Sequence, residues 1–135
     1  MVLLPLAEQL FRELEIGPVT DEVITGKNPL TIQLELDGDL TLSLKEGQLG
    51  PVLHAPVCPA AQERRSELIE RLMEANLFGI ETRGSVIGME MEGEMITLSL
   101  QMPKEIDYNA FKEGVEDFAN IVSYWQEEIR NWSHG

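Results

Sequence analysis

Basic side chains are scarce in this chain. Lys and Arg number 10 against 24 Asp and Glu, giving a formal net charge of -14 and a pI near 4.4. Nucleic-acid binding rests on basic side chains that displace counterions from phosphates. Anionic membrane surfaces recruit Lys and Arg clusters by the same attraction. This balance therefore predicts no nucleic-acid partner and no membrane partner. Cysteine is scarcer still, with Cys58 alone. No disulfide can close within the chain, which fits a reducing compartment. His54 and His134 are the only histidines, so no His/Cys zinc set is available. EF-hand spacing, GxGxxG and GxxxxGK[ST] are all missing, so neither a metal nor a cofactor is expected. No apolar run approaches the ~20 residues of a membrane span. The opening MVLLPLAEQLFRELE lacks a basic n-region and does not read as a signal peptide. A cytoplasmic protein is the expectation.

What is present has an ordinary globular composition. The 135 residues are 43% hydrophobic, enough for a single domain over 1–135 with a real core. Gly and Pro punctuate the chain. Residues 3–15 carry Leu3, Leu6, Leu10 and Leu14 at helical spacing, with Leu4 and Phe11 beside them, and Gly17-Pro18 ends that helix. Residues 30–37 alternate through Leu30, Ile32, Leu34 and Leu36, a half-buried strand. Asp37-Gly38 is a hairpin signal leading into DLTLSLKE, which alternates again. VLHAPVC forms a third strand, where Pro56 implies a sheet edge or an interruption. Residues 60–76 make a second helix with Leu68, Ile69, Leu72 and Met73 on its stripe. Residues 83–91 and 94–102 make a second hairpin around Glu92-Gly93-Glu94. Residues 107–131 make the longest helix, with Phe111, Val115, Phe118, Val122, Trp125, Ile129 and Trp132 alternating at four and three. Asp107 is its N-cap candidate. The order α-β-β-β-α-β-β-α predicts an α+β sandwich, an antiparallel sheet with packed helices.

Chemistry-bearing residues are few. Cys58, Ser66, Ser85 and Ser99 are the nucleophile candidates. His54 lies four residues before Cys58, an even separation that lets both share a strand face as nucleophile and base. The simpler reading makes Cys58 an apolar filler. Glu90, Glu92 and Glu94 read as a solvated turn. Met89, Met91 and Met95 cluster at the second hairpin and suit either a core or an adaptable binding surface.

The second helix runs into Ala75-Asn76-Leu77, then Gly79 and Thr82-Arg83-Gly84. A strand with a glycine before an acidic turn spans Gly88 to Gly93. Ile96-Thr97-Leu98-Ser99, Pro103, Ile106-Asp107-Tyr108, Phe111 and Trp125 follow in order. In that order and spacing, Asn76 to Trp125 resembles the class I type III secretion chaperones, the Tir-chaperone (CesT-like) family. The N-terminal half agrees in element order, size and acidity, and the stretch from Pro51 to Pro59 departs from the family pattern.

The resemblance implies a small acidic homodimer, with a heterodimer with a second chaperone as the alternative assembly. Such a dimer binds the N-terminal region of a secreted effector or related substrate without ATP. It keeps that segment extended and secretion-competent and helps present it to the export ATPase, in the cytoplasm of a Gram-negative bacterium. No catalytic residue is implied. The family's architecture places a cargo groove on Leu3, Leu6, Leu10, Phe11, Ile32, Leu34 and Leu42, each equally a core candidate. It places the dimer interface on Leu68, Leu72, Met73, Val86, Gly88 and Met89. Two other functions remain open: an adaptor or anti-activator of the same fold, and a small enzyme using His54 and Cys58. Strong like charge suits a protein that exposes apolar grooves, because it opposes self-association.

Overall fold

The computed structural model describes residues 2–36, 40–79, 81–90 and 92–134, with the backbone alone for Phe78, Ser133 and His134. Helix α1 spans Leu3–Leu14, and strands β1 to β4 span Ile24–Lys27, Leu30–Leu36, Leu40–Gly47 and Gly50–Pro59. Helix α2 spans Arg65–Asn76 and runs into a 3-10 turn at Leu77–Gly79. Strands β5 and β6 span Val86–Glu90 and Met95–Gln101, and helix α3 spans Tyr108–His134. One six-stranded sheet results, in the order β1-β2-β3-β4-β6-β5, with every neighbouring pair antiparallel.

The period of two in the sequence decides which face is covered. Ile32 pairs with Leu44, Leu34 with Leu42, Leu44 with Leu53, and Ala55 with Leu98, so apolar side chains stack across four strands. All of these are buried and join one cluster with the inner stripes of the three helices. The alternate positions Gln33, Glu35, Lys45 and His54 are polar and at least partly exposed. Phe111, Phe118 and Trp125 are the largest side chains fully enclosed, so α3 is the main cover of the sheet.

Three features depart from the sequence reading. Strand β1 was not expected: four residues with a register shift between Ile24 and Gly26 offer no readable alternation. Strand β4 is central, between β3 and β6, and not an edge. The interruption falls right after the proline: Pro56 still stands opposite Thr97, and the β4–β6 register shifts between Pro56 and Cys58, leaving Val57 without a partner. Helix α2 starts at Arg65 and not near residue 60, after Arg64 takes a left-handed backbone with φ 55. Asp107 caps α3 as expected, its carboxylate accepting from the Ala110 N–H at 2.9 Å. The Asp37-Gly38 turn and Met91 lie outside the described residues.

Two carboxylates fix α1. Val2 brings no side-chain cap of its own, and Glu46 on β3 accepts from the Val2 N–H at 2.6 Å and the Leu3 N–H at 3.0 Å. These are charge-assisted bonds to N–H groups a helix start leaves unpaired. At the other end, Tyr108 of α3 donates to Glu13, which also faces Lys112 at 3.9 Å.

Candidate functional site

His54 is the one imidazole whose side chain the structure describes. Its Nδ1 lies 2.7 Å from Ser99 Oγ and its Nε2 lies 3.0 Å from a Glu90 carboxylate oxygen. Both ring nitrogens are thus committed across β6 to β5, and the bulge after Pro56 breaks the even count that would align Cys58 with the ring. Burial pushes the Cys58 thiol above its ordinary pKa, with Arg130 opposing more weakly. A nucleophilic cysteine needs the opposite shift. The Ser99–His54–Glu90 chain has the connectivity of a hydrolytic relay, but Ser99 lies on β6, paired on both sides by β4 and β5. Backbone N–H groups there serve the ladders and are not available to an oxyanion. Among the described residues no group of three or more His, Cys, Asp or Glu converges as metal ligands.

Of the residues expected to form a cargo groove, Leu3, Leu10, Phe11, Ile32, Leu34 and Leu42 lie in the core of the single chain, and Leu6 is half-buried. Helical and strand periodicity marks a buried face without saying what buries it, and here α1 and the sheet bury each other. A cleft of about 380 Å³ remains at the rim of this region, lined by Phe11, Ile16, Glu22, Val23, Gln33 and Glu35.

The expected interface residues divide. Leu68 and Leu72 face inward and are buried, whereas Met73 is 68% exposed and Val86 is 61% exposed. Gly88 and Met89 are half-buried. They border an apolar cleft of about 130 Å³ with Ile69, Leu72, Met73, Asn76 and Ile87, and exposed Leu77 extends the patch. This flank of α2 and β5 is an apolar surface that no described residue covers.

Sequence reasoning missed how α2 is tied down. Asn76 Oδ1 accepts from the Ile87 N–H at 2.8 Å, and its amide donates to the Ile87 C=O at 2.9 Å. One side chain thus imitates a neighbouring strand along the outer edge of β5. The signal was an amide at a helix end, legible only through its place in the Ala75-Asn76-Leu77 motif. Arg71 joins Glu81 at 2.8 Å and Glu128 at 3.5 Å. The bond to Glu81 raises its pKa further and ties the loop before β5 to α2, while Glu128 ties α2 to α3. Arg71 also stands over Trp125, 5.4 Å from the ring centroid.

A six-stranded antiparallel sheet covered by helices, with an apolar flank and an incompletely finished edge, defines an α+β fold. The chain belongs to the Tir chaperone protein (CesT) family, whose model matches residues 6–126. The Chlamydia pneumoniae protein CPj0713/CpB0740 is 28% identical over 97 residues, covering 72% of this chain and 66% of that protein, just under two thirds of its length. A chain of the HopA1-SchA chaperone-effector complex superposes with a TM-score of 0.68 at 16% identity, with 91% of each chain covered. A chain of the ExsC-ExsE complex gives 0.70 at 16% identity, covering 94% of this chain and 96% of that one. These two likenesses establish a shared fold. Among the described residues no helix is long and apolar enough to cross a membrane.

Proposed function

We propose that this chain is a cytoplasmic type III secretion chaperone that holds the N-terminal region of a secreted effector or related substrate extended for the export apparatus. The family match over residues 6–126 carries the reading. It acts as a binding protein and not as an enzyme: the one Cys–His candidate has its imidazole bonded elsewhere and its thiol pushed up by burial. Two copies associate through α2 and β5, using Met73, Val86, Gly88 and Met89 around the 130 Å³ cleft, while Leu68 and Leu72 support that surface from within. A partner face made of methionine and an edge strand tolerates small changes in fit. The loaded dimer presents its cargo to the export ATPase.

Affinity purification of the tagged chain from its native bacterium, with mass spectrometry, should recover a secreted protein whose N-terminal segment is protected from protease. Recovery of a transcriptional regulator alone would favour the adaptor function. Light scattering should return a mass near twice 15.2 kDa. The double variant Met73→Glu/Val86→Lys should return half of that with an unchanged circular dichroism spectrum. A wild-type monomer at micromolar concentration would remove the dimer from the proposal.

A further inference from the structure

The outer edge of β2 is only partly covered. Strand β1 pairs with residues 30–32, and the Gln33 N–H donates to the Val23 C=O at 2.8 Å. There the covering segment leaves the sheet, turning back at Thr20, whose C=O accepts from the N–H groups of Val23 and Ile24. Backbone groups in a strand repeat their direction every second residue. Glu35 therefore aims its N–H and C=O the same way as Gln33, into space that β1 does not reach. Those groups border the 380 Å³ cleft, whose lining includes Phe11, Ile16 and Val23 together with the exposed acids Glu22 and Glu35. No basic residue is among the lining residues.

We propose that this open edge selects a partner segment in which an apolar residue stands directly beside a lysine or arginine, and that Glu22 and Glu35 read the basic residue. The inference rests on the chaperone reading for one point, that the partner is an extended segment. The chemistry of the edge supplies the rest. An added strand bonds to the Glu35 N–H and C=O, which β1 does not reach. Successive side chains of a strand point to opposite faces. One therefore turns toward the helix side, against Phe11, Ile16 and Val23, and the next toward the uncovered face, beside the Glu35 carboxylate. An acidic partner residue would meet two carboxylates and be rejected, so the same pair supplies selection by repulsion.

The test uses three short fluorescein-labelled synthetic peptides in which leucine alternates with lysine, glutamine or glutamate, titrated against the full chain by fluorescence anisotropy. Partly exposed ion pairs favour the lysine peptide over the glutamine peptide by roughly three- to tenfold. The variant E22K/E35K should reverse the order of the lysine and glutamate peptides. The variant E113K/D117K, which changes the net charge equally at exposed sites on α3, should leave the order intact. Hydrogen exchange at the Glu35 amide should slow when the lysine peptide binds. Equal loss of preference in both variants would assign it to bulk acidity and overturn the proposal, as would an unchanged order in E22K/E35K or an unprotected Glu35 amide. The chaperone reading fails separately. If a secreted protein co-purifies alike with wild type and E22K/E35K, that reading stands and this inference falls. If the lysine peptide behaves as stated and no secreted protein co-purifies, the reverse holds.

Discussion

The two outer edges of the sheet are finished in opposite ways. At β5 a single amide, Asn76, occupies both the N–H and the C=O of Ile87, and the edge lies under α2. At β2 the covering strand is four residues long and stops before Glu35, leaving backbone groups beside a cleft of mixed apolar and acidic lining. An unprotected edge templates pairing with another chain, and proteins blunt such edges unless they use them. The contrast separates two kinds of surface in one small domain. The plugged edge offers side chains, Met73, Val86 and Met89, and suits face-to-face packing with a second copy. The open edge offers backbone and suits an added strand.

The contrast also predicts what holds each end together. Near the open edge, burial does most of the holding: Leu34 and Leu42 pair across β2 and β3 and are fully enclosed. Leu34→Ala should therefore cost the most, about 2–5 kcal/mol in chemical denaturation, with no change in the α2–β5 association. Asn76→Ala should come next, at about 1–3 kcal/mol, because it strands two backbone groups at once. Its exchange signature should be local, with the Ile87 amide exchanging faster while the amides of β2 and β3 keep their rates. If Asn76→Ala cost as much as Leu34→Ala, edge bonding and burial would matter equally and the distinction would fail. Tyr108→Phe should cost least, under about 1 kcal/mol, since it removes one hydroxyl donated to Glu13 between α3 and α1. Burial first, and then the bond to Glu13, push the Tyr108 hydroxyl up to about 12. A pKa raised in the folded state stabilises fully below the unfolded value near 10 and is lost as pH rises through about 12. The stability gap between wild type and Tyr108→Phe should thus stay flat to about pH 10 and narrow above it.

Much of the fold was legible because burial writes itself into spacing. The alternation of Leu30 to Leu44 and the long stripe from Phe111 to Ile129 located β2, β3 and α3, and Asp107 was visible as a cap. Strand β1 was not, since a four-residue strand with a register shift between Ile24 and Gly26 has too few positions to show a period. Pro56 left edge and interruption open, and a bulge let the central position win. The cargo and interface residues were legible only as apolar. Whether such a residue is core or surface depends on what packs over it: Leu34 and Leu42 are fully enclosed, while Met73 stays exposed. The groups that fasten the elements, Glu46 to the start of α1 and Asn76 to Ile87, act across tertiary distance and leave no periodic trace.

Both tryptophans sit under arginines of the α2 region. Trp125 has Arg71 over its ring, and half-buried Trp132 has Arg64 at 4.3 Å from its centroid. The molecule is therefore optically one-sided. Any event that shifts α2, such as pairing with a second copy, moves a cation above an indole and should alter intrinsic emission, while a strand docking at Glu35 stays dark. The two kinds of association carry separate spectroscopic labels already, and tryptophan fluorescence can follow one of them in the presence of the other without any dye on the protein.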